Sequence, residues 1–372
     1  MDFHRPPDRR GTASEKWDKY AGRDILPMWV ADMDFAAAPA ILDALRRRID
    51  HGVFGYTHAP DSLVDATQQH LQDRYGWTVE ADWLTWLPGL VPALSLACRA
   101  VGEPGDAVLT ATPIYPPFLK APALAGRALA TAPLALLDGR WRWDWQAMEN
   151  AAAGAKLLLL SHPHNPTGRC WDEAELAELI AFSKRRGLIV CSDEIHCDLL
   201  LGTRRHQPLA AVDPDFAART ITLMSPSKTW NLAGLGCAFA IIPDTGLRRR
   251  FRHEMSHRVP PPGALGYVAA EAAYREGEPW RQALLAVLRD NRDAIVQALA
   301  GGRLPLIPPQ ATYLAWFDAR AVHPERPMPA FERAGVGLAD GRDFGAPGWL
   351  RLNFGCPPAT LEAALRRMRP LL

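Results

Sequence analysis

The chain has 372 residues, 48% of them hydrophobic and 22% charged, with a formal net charge of +1. That length can bury a sizeable core in one large or two ordinary domains, and the near-zero charge gives no electrostatic ground for a nucleic-acid or anionic-membrane partner. No run of 18 apolar residues occurs, and the opening MDFHRPPDRR is charged and proline-bearing with no apolar signal region, so a cytoplasmic protein is expected. Cys98, Cys170, Cys191, Cys197, Cys237 and Cys356 are scattered without a C-x-x-C pair. That spacing signals neither a disulfide framework nor a metal site, and most are expected to be small buried hydrophobes.

Along the chain, the first forty residues show no strand–helix alternation and are expected to pack with the C-terminal lobe or cross the cleft. Arg46-Arg47-Arg48 and Arg248-Arg249-Arg250 read as solvated helix faces. WLTWLPGLVPALSLACRAVG reads as a strand, a tight turn at Gly89 and a helix ended by Gly102. Pro92 in the first turn lacks an N–H that would have been unpaired anyway, which leaves Gly89, Leu90 and Val91 to aim backbone donors at an anion on the helix dipole.

Strands are then expected at Ala107–Ala111, Arg127–Thr131, Lys156–Ser161, Leu188–Ser192, Thr220–Met224 and Cys237–Ile242. WRWDWQ alternates as a packing edge. Between the third and fourth of these strands, WDEAELAELIAFSKRRG can be capped by Asp172, repeats Leu176, Leu179 and Ile180 at helical spacing, and is stopped by Gly187. The pattern predicts an α/β fold: a large domain over 45–278 with a mostly parallel sheet flanked by helices. From Pro279 a long helix followed by short strands and Pro/Gly-rich loops predicts a smaller α+β domain, formed by 279–372 with the N-terminal 1–44.

Ligands of open parallel sheets lie beyond the carboxyl ends of the strands. Four such ends are chemically loaded: TPIYPPF, HPHNPTG, DEIHCD and SPSKT. The last raises Lys228, one of only six lysines against 36 arginines. Arginine matches its charge but cannot act as a free amine, whereas a buried lysine can lose its proton and form an imine. Farther on, WLRLNF alternates, so Leu350, Leu352 and Phe354 share one face and Arg351 and Asn353 the other, toward solvent or the cleft.

TPIYPPF, PHNPTGRCW, SDEIHCDLL, SPSKTWNLAGL and RLNFGCP, in that order along the chain, resemble a pyridoxal-phosphate enzyme of fold type I. GTASEKWDKY and LPMWVADMDF are similar to the cystathionine β-lyase branch of the class I/II aminotransferase family in particular. The likeness runs from near residue 11 to near residue 358.

The resemblance implies pyridoxal 5'-phosphate as cofactor, bound through Lys228, which would also move the substrate's α-proton. Asp193 would pair with the pyridine nitrogen and keep it protonated. Ile195, two residues on along an extended segment, would pack against the ring, and Tyr115 would stack on its other side. Asn165 would donate to the phenolic oxygen. Ser225 and Ser227 would add hydroxyls to a phosphate cradle at Gly89, Leu90 and Val91, and Tyr56 would reach the phosphate of the neighbouring subunit in a homodimer with shared active sites. Arg351 would clamp the α-carboxylate, with Asn165 beside it. His162, His164 and His196 are expected to be structural.

Gly236 stands where many aminotransferases place a phosphate-binding arginine, and Pro116 where some lyases carry a second aromatic. The expected activity is carbon–sulfur β-elimination from a small-molecule amino acid, L-cystathionine or another S-substituted cysteine, with no metal. An aminotransferase using the same lysine is the alternative, and a regulatory protein on this fold is an alternative of another class. A dehydrogenase is disfavoured because no G-x-G-x-x-G follows a strand.

Overall fold

Proline-rich, non-alternating sequence leaves the N-terminal segment little structure of its own, and it acquires one short strand only by borrowing a partner. In this computed structural model, which describes residues 2–372, β1 (Leu26–Pro27) pairs in parallel with Val336–Gly337. Met1, the first residue of the expected small-lobe segment, lies outside the described residues.

An eight-stranded sheet follows: β2 (Leu84–Leu87), β3 (Ala107–Thr112), β4 (Ala128–Leu137), β5 (Arg140–Trp143), β6 (Ala155–Ser161), β7 (Ile189–Asp193), β8 (Thr220–Met224) and β9 (Ala238–Ile241), in the order β2-β9-β8-β7-β6-β3-β4-β5. The inner pairs β4/β3, β3/β6, β6/β7 and β7/β8 are parallel, and the flanking β2, β9 and β5 run antiparallel to their neighbours. Five of the six expected strands agree within one residue at each end. β4 is longer than expected because it continues past Pro133 to pair with β5 from Leu134 onward.

The run Leu157–Leu160 in β6 shows why the sheet is covered on both sides. Leu157 and Leu159 join one buried cluster with the helix Leu90–Ala100, while Leu158 and Leu160 join another with the helix Glu173–Arg186. A continuous apolar run is stable only when both faces are dry, and each such leucine contributes about 1.5–3 kcal/mol on burial. The second helix is set by Asp172 and Glu175 in a reciprocal capping box and stopped by Gly187 in the left-handed region.

Beyond the helix Glu278–Leu299 lies a three-stranded antiparallel sheet ordered β10 (Leu314–Asp318), β13 (Trp349–Asn353), β12 (Ala339–Asp340), and β11 (Val336–Gly337) is the partner of β1. All six cysteines are buried free thiols. The Arg248 run is not wholly solvated, contrary to expectation: Arg248 is buried, donates to the carbonyls of Ile242 and Pro243, and pairs with Asp82, because this position of its helix faces the end of β9.

Candidate active site

The carboxyl ends of β3, β6, β7 and β8 open on one cavity of about 220 Å³. Its wall contains Gly89, Leu90, Val91, Tyr115, Asn165, Asp193, Ile195, Ser225, Ser227 and Lys228, so the sheet gathers ten of the expected site residues. Arg351 joins them from β13, with one guanidinium nitrogen 2.9 Å from Asn165 Oδ1 and the other donating to the Trp29 carbonyl at 2.9 Å. Leu350, Leu352 and Phe354 fill the core on its other face, as the alternation required. Tyr56 alone stands apart, fully exposed.

Lys228 donates to the Ala31 carbonyl at 2.6 Å. Burial, then the charge of Arg351, pulls its ammonium down to about 8, against the opposing pull of Asp32 and Asp193. Burial pushes Asp193 up to about 7, although the Ile195 N–H, 3.1 Å from Oδ1, and Lys228 favour the carboxylate. A cationic ring nitrogen placed beside it would favour the carboxylate further. Burial lowers Arg351 to about 10, which leaves it cationic at neutral pH.

Ile195 reaches the cavity for a different reason from the one expected. β7 ends at Asp193, and Ile195 lies in the turn that follows, held by its own N–H on the Asp193 carboxylate rather than by strand alternation. His196 also lines the cavity, edge-on to Tyr313, with burial as the main cause of a value near 3 that keeps it neutral.

The helix Leu90–Ala100 carries no side-chain cap at Gly89, so its first N–H groups and the Ser225 and Ser227 hydroxyls form a polar end suited to a phosphate. Gly236 has φ +57°, and a Cβ there would lie 3.0 Å from the Pro88 carbonyl oxygen. A side chain at 236 would therefore press on the turn that presents these donors. With Asn165 Oδ1 engaged by Arg351, its NH₂ group is the donor left for a ligand. An amine, a buried carboxylate, an amide donor and an anion-binding helix start fit a pyridine aldehyde phosphate.

Several contributors carried no readable signal of their own. Asn231 sits at φ +59° three residues past Lys228, accepts from Met33 N and donates to the Met33 and Phe35 carbonyls, which ties the lysine loop to the N-terminal strap. Tyr313 donates to the Ala31 carbonyl at 2.9 Å, and Asn353 Nδ2 to that of Asp32 at 2.6 Å. The motif LPMWVADMDF holds this strap, but its contribution is made by backbone carbonyls, to which residue identity is no guide.

Residues 23–368 match the family model for aminotransferase class I and II. The chain is 38% identical to cystathionine beta-lyase PatB of Bacillus subtilis (strain 168), over the full length of both. Among solved structures it superposes on OvoB with a TM-score of 0.96 at 46% identity, covering 100% of this chain and 99% of that one. It superposes on the PLP-bound C-S lyase from Staphylococcus hominis with a TM-score of 0.93 at 31% identity, covering 100% and 98%.

Proposed function

The chain belongs to the class I and II aminotransferase family, and on that footing we propose that it is a pyridoxal 5'-phosphate-dependent carbon–sulfur β-lyase of the cystathionine β-lyase type. The reaction converts L-cystathionine and water to homocysteine, pyruvate and ammonia, with other S-substituted cysteines as related substrates. The observation that carries the reading is the convergence of Lys228, Asp193 and Asn165 on one cavity with Arg351 bonded to Asn165 at its edge, in a chain whose full-length relative is a cystathionine β-lyase.

When bound, the cofactor supplies an electron sink for the pair left at the substrate's α-carbon. Lys228 anchors it and, as a free amine near neutrality, takes the α-proton. Asp193 would face the ring nitrogen and Asn165 the phenolic oxygen, with Tyr115 and Ile195 against the two ring faces. The N–H groups of Gly89, Leu90 and Val91, with Ser225 and Ser227, would hold the phosphate. Arg351 orients the substrate through its carboxylate, which fixes the Cα–H bond toward Lys228.

We assign Tyr56 to the phosphate of a second copy in a homodimer with shared sites. In support, Val53, Phe54 and Tyr56 are exposed large hydrophobics on one short segment, which a partner surface would cover. We divide the chain into a large domain, 45–278, and a small one, 1–44 with 279–372; the eight-stranded sheet lies within the first range and the three-stranded sheet within the second. Six unpaired buried thiols suit the reducing cytoplasm. No described helix is long and apolar enough to cross a membrane.

The test is pyruvate release from L-cystathionine by cofactor-loaded protein with no keto acid added, beside Lys228→Ala. Many turnovers, lost in the variant, are expected. A single conversion of cofactor to its amine form without pyruvate would make the protein an aminotransferase instead.

A further inference from the structure

Behind the cofactor cavity, on the far side of the Asp193–Glu194 turn, lies a second cluster that the lyase reading does not use. One ring nitrogen each of His162 and His206, and the Cys170 thiol, lie within 4.8 Å of one another, and all three residues are buried. Both rings have their Nε2 assigned a partner. His206 Nε2 is 2.6 Å from Glu194 Oε2, and His162 Nε2 is 3.1 Å from the Gln207 carbonyl oxygen. A carbonyl can only accept, so Nε2 is the N–H side of the His162 ring; with Glu194 ionised, accepting from Ser192 Oγ and Leu209 N through its other oxygen, Nε2 is the N–H side of the His206 ring too. The lone pairs are therefore on the two Nδ1 atoms, both buried and without any hydrogen-bond partner.

We propose that His162, Cys170 and His206 form a buried zinc-binding centre. Metal-ligating histidines characteristically donate their second N–H to a carboxylate or a backbone carbonyl, which fixes tautomer and orientation; here one ring has each kind of partner. Imidazole and thiolate together suit a borderline-soft d¹⁰ cation.

Charge selects the divalent ion. Zn²⁺ with one thiolate leaves a single positive charge, and the Glu194 carboxyl beside His206 is placed to balance it. Two further cations lie close by, and both are already engaged, Arg169 by Glu175 and Arg204 by Asp172. Tetrahedral coordination sets the donor atoms about 3.3–3.6 Å apart, and the two rings now lie side by side with centroids 4.4 Å apart, so binding requires the rings to turn until both Nδ1 atoms meet one ion. Entry is past the exposed residues Gly202–Arg205, which lead directly to His206.

The cysteine spacing signals no such site because the fold assembles it from the end of β6, the following turn and a loop some forty residues on. His162 N donates to the Asp193 carbonyl at 2.9 Å, and Glu194 is the next residue. A metal here would brace the pair of strand ends that carries the cofactor aspartate.

The test loads cofactor-bound protein with Zn²⁺ alone, removes weakly held metal by dialysis, and measures zinc per protomer together with zinc X-ray absorption. About one zinc is expected, with one sulfur at about 2.3 Å and two nitrogens at about 2.0–2.1 Å. Glu194→Gln is expected to lower zinc affinity ten- to hundredfold, and Cys170→Ser to remove the sulfur signal while circular dichroism stays native. No retained zinc, zinc without a sulfur neighbour, or a sulfur signal that survives Cys170→Ser would each overturn the proposal. The wild-type spectrum decides the matter even if a variant fails to fold.

Discussion

Replacing Arg351 with lysine keeps a cation at the cavity and removes the planar fork. In the present arrangement Arg351 makes two hydrogen bonds at 2.9 Å and holds Nε without a protein partner, so its donors exceed its acceptors by at least one. A substrate carboxylate would take two parallel bonds from such a group. Charge-assisted bonds contribute about 1.5–3 kcal/mol each, and a lysine ammonium retains roughly one of the two. The expected loss in kcat/KM for cystathionine is therefore about 1.5–3 kcal/mol, or roughly 10- to 150-fold; Arg351→Gln, which also removes the charge, should lose roughly 10³-fold or more. Thiol release is the assay, with cofactor affinity and the urea midpoint measured in parallel. If Arg351 only bridges Trp29 to Asn165, Arg351→Lys would weaken cofactor retention or stability and leave kcat/KM within about threefold, and the carboxylate role would be refuted.

Other expectations follow from the same geometry. Cofactor uptake by the apoprotein requires the neutral Lys228 amine, so its rate should rise with pH and level off above about 8; Arg351→Gln removes the neighbouring positive charge and should move that midpoint to higher pH. The sign for stability is the same: between about 8 and the ordinary lysine value of 10.5 the unfolded chain keeps a proton the folded chain has released, so Lys228's contribution to apoprotein stability, read from urea midpoints, rises with pH across that window. Asn231→Ala removes three hydrogen bonds and places a residue with a Cβ but no compensating side-chain bonds in the left-handed region, a loss of about 3 kcal/mol in denaturant unfolding. Mixing Lys228→Ala with Tyr56→Ala subunits should restore activity toward about a quarter of wild type, since half the dimers would be mixed and each would hold one intact site; no gain on mixing would place Tyr56 outside the partner's site.

The large sheet was legible because its strands are short apolar runs closed by glycine- and proline-rich turns, and because Leu157–Leu160 admits no half-exposed reading. Lys228, Asp193, Asn165 and Arg351 were legible because each follows or alternates along such a run, where topology alone dictates that side chains converge. Ile195 shows the limit: extended alternation was the wrong local rule, since the Asp193 carboxylate caps the turn and brings Ile195 to the cavity by a different path. Arg248 shows another, for a run of three arginines hides which of them faces inward until the neighbouring helix face is known. The strap was illegible in kind, because Trp29, Ala31 and Asp32 act through carbonyl oxygens that every residue type possesses.

Those carbonyls explain how two buried cations can sit at one cavity and still be ready for an anion. Arg351 lowers the affinity of Lys228 for its proton, and the two are tied to Ala31 and Trp29 rather than to carboxylates. Had an aspartate side chain taken either place, an incoming substrate carboxylate would have to break a buried ion pair and strand one charge, at several kcal/mol. A neutral carbonyl is a weaker acceptor for a cation than a carboxylate, so exchanging Trp29 oxygen for substrate oxygen at Arg351 is favourable. The acidic groups of the strap are kept from competing: Asp34 pairs with the buried Lys16, and Asp32 with Arg9. Arg351 is thus left without a carboxylate partner in the protein, and on the proposed reading the α-carboxylate of an amino acid supplies one.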